Sequence, residues 1–322
     1  MKAIRVHQTG GPEVLKYEET HAPTAAADQV LIEQRAVGVN FIDIYQREGL
    51  YKLPLPTTLG VEGAGVVRAV GPKASHFRPG DRVAYALGSG GYAELAAVPE
   101  SKVVGLPDDV DFPTGAAAMV QGLTAHYLAT DTFRLKEGDV ALVHAAAGGV
   151  GLLLVQVCKR LGARVIGTVS TDEKARLARE AGADEIVIYT REDFLARVKE
   201  VTSGKGCDVV YDSVGKDTFD KSLSCLRPRG LLALYGQSSG PVAPFDPQIL
   251  NARGSLFFTR PSLGHYAATH EELTTRAQQL FGWIRSGGVK VRIGATYPLA
   301  EAAQAQKDLA GRKTTGKVIL LP

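Results

Sequence analysis

The stretch His144-Ala145-Ala146-Ala147-Gly148-Gly149-Val150-Gly151 decides the fold. An apolar strand, Asp139 to Ala145, runs into it, and a helix reaching Leu161 leaves it. Strand, glycine turn, helix is the context in which a Gly-rich motif carries meaning. Ala146, Gly148 and Gly151 stand at the three positions of GxGxxG, with Ala in the first. Gly148 lets backbone approach a pyrophosphate, and Gly151 lets the helix pack closely on the strand. The turn from Ala147 to Val150 then faces the phosphates, with the N–H groups of Gly149 and Val150 pointing at them and the helix dipole favouring the negative charge. The alternative is a glycine turn that serves packing alone. The segments around it argue for the dinucleotide.

Downstream the pattern repeats. Strands are expected at Arg164 to Val169, Glu185 to Tyr189, Cys207 to Tyr211 and Gly230 to Tyr235. Helices are expected between them at Asp172 to Ala181, Phe194 to Thr202 and Thr218 to Leu226. Such alternation makes βαβ units around a parallel sheet. Upstream, the chain is β-rich. Met1 to His7 alternates apolar and polar residues, Val30 to Val37 and Gly63 to Val70 read as strands, and Gly71-Pro72 and Pro79-Gly80-Asp81 mark turns. Pro113 to Thr130 is Ala-rich and reads as helix. After Phe257 the structure is mixed, with a helix at Glu271 to Ser286 and a last strand at Lys317 to Leu321. The expected division is a nucleotide-binding domain, 121–257, inserted between 1–120 and 258–322.

The second strand of the nucleotide domain ends Gly167-Thr168-Val169-Ser170-Thr171. A site for NAD usually has Asp or Glu there to hold the ribose hydroxyls. Here no acid stands at the tip. Ser170 and Lys174 are placed to donate to a 2′-phosphate. The expected cofactor is therefore NADPH. Asp172 is close by and is the candidate N-cap of the following helix. The plainer reading of Lys174 is a solvated helix charge.

Composition narrows the class further. The chain has 322 residues, 37 basic and 34 acidic, a formal +3, with no long run of Lys and Arg, so a nucleic-acid surface is not indicated. The three cysteines, Cys158, Cys207 and Cys225, are scattered and form no CxxC, which suits a reducing compartment. The start MKAIRVHQTG lacks the apolar core of a signal peptide. Two uncharged stretches, Phe112 to Thr130 and Val140 to Cys158, are long enough to span a membrane, but the first holds Pro113, Gln121 and His126 and the second is split by its glycines. Both are expected to be buried soluble elements. The expectation is a cytoplasmic protein with no membrane anchor.

Several segments together resemble the medium-chain dehydrogenase/reductase superfamily, in its zinc-free quinone oxidoreductase and zeta-crystallin branch. They are GGPEVL (Gly10 to Leu15), AVGVNFIDIYQREGLY (Ala36 to Tyr51), LGVEGAGVV (Leu59 to Val67), HAAAGGVG, VYDSVG (Val210 to Gly215) and GSLFFTRPSL (Gly254 to Leu263). The similarity runs along essentially the whole chain. It implies an α/β protein, a doubly wound Rossmann domain inserted in a β-rich GroES-like catalytic domain. Zinc members of the superfamily place a Cys ligand where Asn40 stands, a His where Val61 stands between Gly60 and Glu62, and a third ligand near Gln121. Catalytic zinc needs three protein ligands and an open position. With Asn and Val at two of these places no metal site is expected, and Glu62 reads as a hydrogen-bonded structural residue.

The resemblance also implies a site. Nicotinamide lies in a cleft between domains, walled partly by Asn40 to Tyr45, so Asn40 and Tyr45 are carried over as catalytic neighbours and Tyr51 as a stacking partner for a flat acceptor. Phe41 and Asp43 belong to the same wall, although for Phe41 ordinary core is the preferred reading. Tyr127, Tyr189, Ser213, the turn Tyr235-Gly236-Gln237-Ser238, Phe258 and Arg312 match positions that line the cofactor, with Tyr189 at the adenine end. No Ser-His-Asp set or carboxylate pair stands out. In such chemistry the cofactor supplies the reducing equivalents and the protein supplies orientation and electrostatics. The implied activity is zinc-independent, NADPH-dependent quinone reduction by a homodimer. The alternatives are reduction of the double bond of enones and enals, or a structural or RNA-binding protein of the crystallin type. The lack of a basic stripe argues against RNA.

Overall fold

In the computed structural model, which describes residues 1–322, six parallel strands form one sheet. Their spatial order is Glu185–Ile188, Arg164–Val169, Val140–Val143, Cys207–Asp212, Leu226–Leu234, Phe257–Thr259. Counted along the chain this is 3-2-1-4-5-6, the doubly wound arrangement. The central strands are apolar because both faces are covered. Leu142, Ile166, Val187, Val210 and Leu232 are buried together with Val198 and Leu223 of the helices Phe194–Val201 and Phe219–Ser224. This sheet lies in a compact unit of residues 124–265 and 288–290. The unit continues past 257 because Phe257–Thr259 pairs in parallel with Leu226–Leu234 as the sixth strand.

The second unit comprises residues 1–123, 266–287 and 291–322. Its seven-stranded sheet is organised on the long strand Gln29–Val39. That strand pairs antiparallel with Glu62–Val70, with Leu95–Pro99 and, at its end, with Lys317–Leu321. The register sets Val39 opposite Val318 and Val37 opposite Gly63. Residues 38–40, 62 and 317 therefore meet at one place, which the site below depends on. A smaller sheet joins Lys2–Val6 to Leu15–Glu19 and Thr57–Thr58.

Most sequence expectations agree to within a residue or two, and Arg164–Val169 and Lys317–Leu321 agree at both ends. The stretch from Thr218 differs. A single helix to Leu226 was expected, but the helix stops at Ser224 and Leu226 already starts the next strand. The register jumps between Cys207↔Leu226 and Val209↔Leu231, and the intervening turn puts Arg229 at φ 60. Pro228 and Gly230 thus mark a bulge inside the strand rather than its boundary. The short helix Phe41–Arg47, the strand Ile293–Pro298 and the helix Ala302–Ala310 were not anticipated. Of the two uncharged stretches, one is the helix Phe112–Tyr127 running into a π turn, and the other divides into Val140–Val143 and Gly149–Arg160. No helix is long and apolar enough to cross a membrane.

Candidate active site

In the parallel-sheet unit, most of the expected cofactor residues lie just beyond the carboxyl ends of parallel strands. Ala147 to Val150 follow Val140–Val143, Ser170 follows Arg164–Val169, Tyr189 follows Glu185–Ile188, Ser213 follows Cys207–Asp212, and Tyr235 to Ser238 follow Leu226–Leu234. Doubly wound folds bind their ligands at this edge, beside the strand pair where the order reverses. Here that pair is Val140–Val143 and Cys207–Asp212.

The glycine turn is shaped for a phosphate. The first bond of the helix ladder is Leu152 N–H to the Gly148 carbonyl at 2.9 Å, so the Gly149 and Val150 amides lie ahead of the ladder. Gly148, Gly149 and Val150 are half-buried, whereas Ala147 is buried. A Cβ on Gly148 would meet only the Ala145 carbonyl oxygen, at 3.1 Å, so its outer side is open to an approaching anion. A Cβ on Gly151 would lie 2.2 Å from that same oxygen, so Gly151 is required by packing. The residues present therefore fit a pyrophosphate on the helix N-terminus.

At the second strand's tip, Thr171 caps the helix Asp172–Glu180, its hydroxyl accepting from Lys174 N–H at 3.3 Å. Asp172, the expected cap, is the first helical residue. Its carboxylate is gripped by Arg191, at 2.9 and 2.5 Å, and this hydrogen bond leads the causes that hold its pKa low. The reason is geometric, since Thr171 has the extended backbone that a cap needs. Arg191 had been missed, and its only sequence signal is its place two residues after Tyr189. The Tyr189 amide donates to the Val169 carbonyl at 3.0 Å and the Thr190 hydroxyl to the Ser170 carbonyl at 2.9 Å, so Tyr189 is fastened beside the Ser170 tip. Its ring is exposed.

The Ser213 loop hangs on one buried carboxylate, and the Tyr235 loop hangs on the backbone of the same residue. Asp212 accepts from Val214 N–H (2.8 Å), Gly215 N–H (3.1 Å), Thr218 Oγ1 (2.7 Å) and Ser222 Oγ (2.9 Å). Its backbone carbonyl receives the Tyr235 amide at 2.8 Å. His144, which opens the glycine turn, lies 3.0 Å from both Ser222 Oγ and Thr168 Oγ1. Ser222 spends its proton on Asp212, so His144 donates from Nε2 and accepts from Thr168 at Nδ1. Burial pushes the His144 pKa down, with Asp212 opposing.

Two expected cofactor residues are packed by the protein itself. Tyr127 ends the helix Phe112–Tyr127 and is buried. Phe258 packs edge-on against Phe219 and Phe245, at 5.7 and 5.4 Å between ring centres, as an extension of the core. Arg312 belongs to the other unit, where it follows the helix Ala302–Ala310 with a left-handed φ of 58. Gly or Asn usually takes that conformation after a helix end.

In the antiparallel unit, Asn40 caps the helix Phe41–Arg47. Phe41 and Tyr45 lie one turn apart and are half-buried, with ring centres 6.2 Å apart. Tyr51 meets Tyr45 edge-on at 5.5 Å and is exposed. These three rings form an aromatic surface beside Asn40. Asp43 does not join it. Asp43 is fully buried, and its Oδ2 accepts from the Asn40 amide at 2.8 Å and from the Tyr92 hydroxyl at 2.9 Å. Burial pushes its carboxyl up to about 7, and the two hydrogen bonds and the charge of Lys317 only partly offset that. It braces Asn40 from behind and lines nothing.

Asn40 is held from a second side by Glu62 and Lys317, both buried. Its Nδ2 donates to Glu62 Oε1 at 2.6 Å, and its Oδ1 accepts from Lys317 Nζ at 2.8 Å, while Lys317 also pairs with Glu62. Glu62 Oε2 takes the Val120 amide at 2.6 Å, which bears out its reading as a structural residue. Lys317 was legible only as the start of a strand. No group of three or more His, Cys, Asp or Glu that could hold a metal ion occurs. Gln121 carries a buried Oε1 that has no hydrogen-bond partner.

Two family models match the chain, the alcohol dehydrogenase GroES-like domain over residues 26–108 and the zinc-binding dehydrogenase domain over 149–302. The chain belongs to the medium-chain dehydrogenase/reductase superfamily, in its quinone oxidoreductase branch. A quinone oxidoreductase of Pseudomonas aeruginosa is 51% identical, covering 100% of this chain and 99% of that one. A 2-haloacrylate reductase of Burkholderia is 43% identical, covering 99% and 98%. The crystal structure of the Escherichia coli quinone oxidoreductase complexed with NADPH superposes with a TM-score of 0.98 at 45% identity, covering 100% of both chains. The doubly wound unit and the GroES-like unit are thus those of this superfamily.

Proposed function

We propose that the chain is an NADPH-dependent quinone oxidoreductase that works without zinc. The observation that carries this reading is the row of segments at the carboxyl edge of the parallel sheet. It has an open glycine turn for the pyrophosphate, and Ser170 and Lys174 instead of an acid at the second strand tip. Ala147 to Val150 hold the pyrophosphate. Ser170 and Lys174 hold the 2′-phosphate, Tyr189 flanks the adenine, and Ser213 with Tyr235 to Ser238 borders the nicotinamide ribose. When bound, NADPH supplies the reducing equivalents. Asn40 orients the reacting ring through its amide, and Tyr45 and Tyr51 offer aromatic faces to a flat acceptor. A reduced quinone leaves as an anion that water can protonate, so no strong protein acid is required.

A second reading is favoured by the 2-haloacrylate reductase relative, reduction of an activated carbon–carbon double bond by the same residues. NADPH consumption with a panel of quinones and of enones or haloacrylates separates the two. Turnover of quinones at higher kcat/KM is expected, and a preference for the olefins, or for NADH, would overturn the first reading. The chain works in the cytoplasm as a homodimer. The open edge of Phe257–Thr259, with Phe257 60% exposed, suits pairing with a second copy. Light scattering is expected to give twice the chain mass.

A further inference from the structure

Asn40 has an amide whose direction is not free. Glu62 Oε1, 2.6 Å from Nδ2, is a carboxylate oxygen and can only accept. Lys317 Nζ, 2.8 Å from Oδ1, is an ammonium and can only donate. Turning the amide over would set oxygen against carboxylate and NH2 against ammonium. The usual ambiguity of an Asn side chain is therefore removed by two opposite charges. The pair that does this is deeply placed, with Glu62 0% and Lys317 1% exposed. The backbone is fitted around it. A Cβ on Gly38 would lie 2.0 Å from Glu62 Oε1 and 2.7 Å from the Lys317 side chain, so only glycine lets the strand pass.

We propose that Lys317 is a positioning residue for the reduction, acting through Asn40. With one N–H committed to Glu62 and the oxygen committed to Lys317, Asn40 has its second Nδ2 proton left to offer. It presents a donor to the reacting groups, with Lys317 already bound to its oxygen. A donor is what a carbonyl oxygen needs as it gains negative charge. The ammonium on Oδ1 also polarises the amide and makes that N–H a stronger donor, as in a chain of hydrogen bonds. Glu62 balances the buried charge, so the pair directs the amide without leaving a net charge behind it. This inference rests on the reading above that Asn40 faces the reacting ring.

The test must separate positioning from stability, because removing one partner of a buried pair leaves the other uncompensated. Lys317→Met alone is expected to lower both Tm and kcat. The deciding variant is Lys317→Met with Glu62→Gln, which takes out both charges at nearly constant volume. It is expected to regain most of the lost Tm, to bind NADPH as wild type does by fluorescence titration, and to keep kcat about 100-fold down, the size of loss that a misplacement of about 1 Å brings. If kcat returns with Tm, Lys317 is only structural and the inference falls. Asn40→Ala serves as the control on the underlying reading. If it leaves kcat unchanged, Asn40 does not face the reacting ring and both fall. If Asn40→Ala loses kcat while the double variant does not, the inference alone is overturned.

Discussion

In the parallel-sheet unit the buried Asp212 carboxylate receives four hydrogen bonds, two on each oxygen. In the antiparallel unit the equally buried Asp43 receives two on Oδ2, and its Oδ1 has no partner. The difference separates a brace from a poised group. Around Asp212, the hydroxyls of Ser222 and Thr168 both pair with His144, and the cluster ties the start of the glycine turn to the Ser213 loop. Around Asp43 the desolvation is not fully met, and burial lifts its carboxyl to about 7. Asn40 stands against this less satisfied cluster, and the backbone of the glycine turn hangs on the saturated one.

Removing the brace has the largest expected effect. Asp212→Ala strips the acceptor from two amides and two hydroxyls, of which Gly215 N–H and Ser222 Oγ are buried and Val214 N–H and Thr218 Oγ1 half-buried. Unsatisfied buried donors cost about 1–3 kcal/mol each before relaxation. A loss of about 3–5 kcal/mol by urea denaturation is expected, at the top of the range for single substitutions. NADPH affinity should fall with it, because the Ser213 loop rests on this carboxylate. Asp43→Asn keeps the acceptor for both of its donors and should cost far less. Equal losses would erase the distinction between the two clusters.

Next in size is the turn that the brace supports. Gly148→Val should leave Tm near wild type while weakening NADPH by about 100-fold or more, equivalent to about 2.7 kcal/mol or more. Gly151→Val should do the reverse and lower Tm first, since its Cβ runs into the Ala145 carbonyl. Titration and melting of both variants check this, and matching behaviour in the two would show that the turn has no open side. A smaller effect is expected of Lys174→Ala, about 10- to 100-fold weaker NADPH binding from the loss of a charged hydrogen bond of about 1.5–3 kcal/mol. NADH binding should stay unchanged. If both cofactors weaken equally, Lys174 acts through the helix rather than on a 2′-phosphate.

These contrasts also mark what a sequence can disclose. The glycine turn, its strand and its helix are adjacent in the chain, and local period and turn chemistry identify them. The strand-tip residues follow once each strand end is placed. The clusters behind them join residues far apart in sequence, His144 with Thr168, Asp212 and Ser222, and Asn40 with Glu62 and Lys317. Only sheet register brings these together, and register has no local signal. Asp172 shows a different limit. An acid ahead of a helix looks like a cap, but the choice between Thr171 and Asp172 depended on backbone angles and on Arg191. Tyr127 and Phe258 match the family's pattern, yet Tyr127 is buried and Phe258 packs half-buried against the core, which no local pattern discloses.

The effect that is smallest per step also sets the clusters directly against each other, the change of stability with each unit of pH. Asp43 has a folded pKa near 7, raised from 3.8. Between these values the native state holds a proton that the unfolded chain releases, so this group favours the native state most at low pH, and the advantage fades as pH rises through 7. Asn at position 43 resembles the protonated acid at every pH. The Tm of Asp43→Asn relative to wild type should therefore climb from pH 4 to pH 7 and then level off. His144 works the other way. Its pKa is lowered by burial from 6.5, so below 6.5 the unfolded chain takes up a proton that the native state refuses. Stability from this group is present above 6.5 and drains away as pH falls. His144→Gln cannot be protonated, so its Tm relative to wild type should climb as pH drops below 6.5. Within its window Asp43→Asn should drift by a few degrees per pH unit, since one pKa unit is about 1.4 kcal/mol and about 1 kcal/mol moves Tm by about 2–4 °C in a domain of roughly 150–250 residues. Melting curves of wild type and both variants at half-unit steps from pH 4 to 8.5 give the two difference profiles. Profiles of opposite slope support an unsaturated carboxylate in one unit and a closed neutral imidazole network in the other. If the two slopes share a sign, burial does not shift one of the two groups in the direction described.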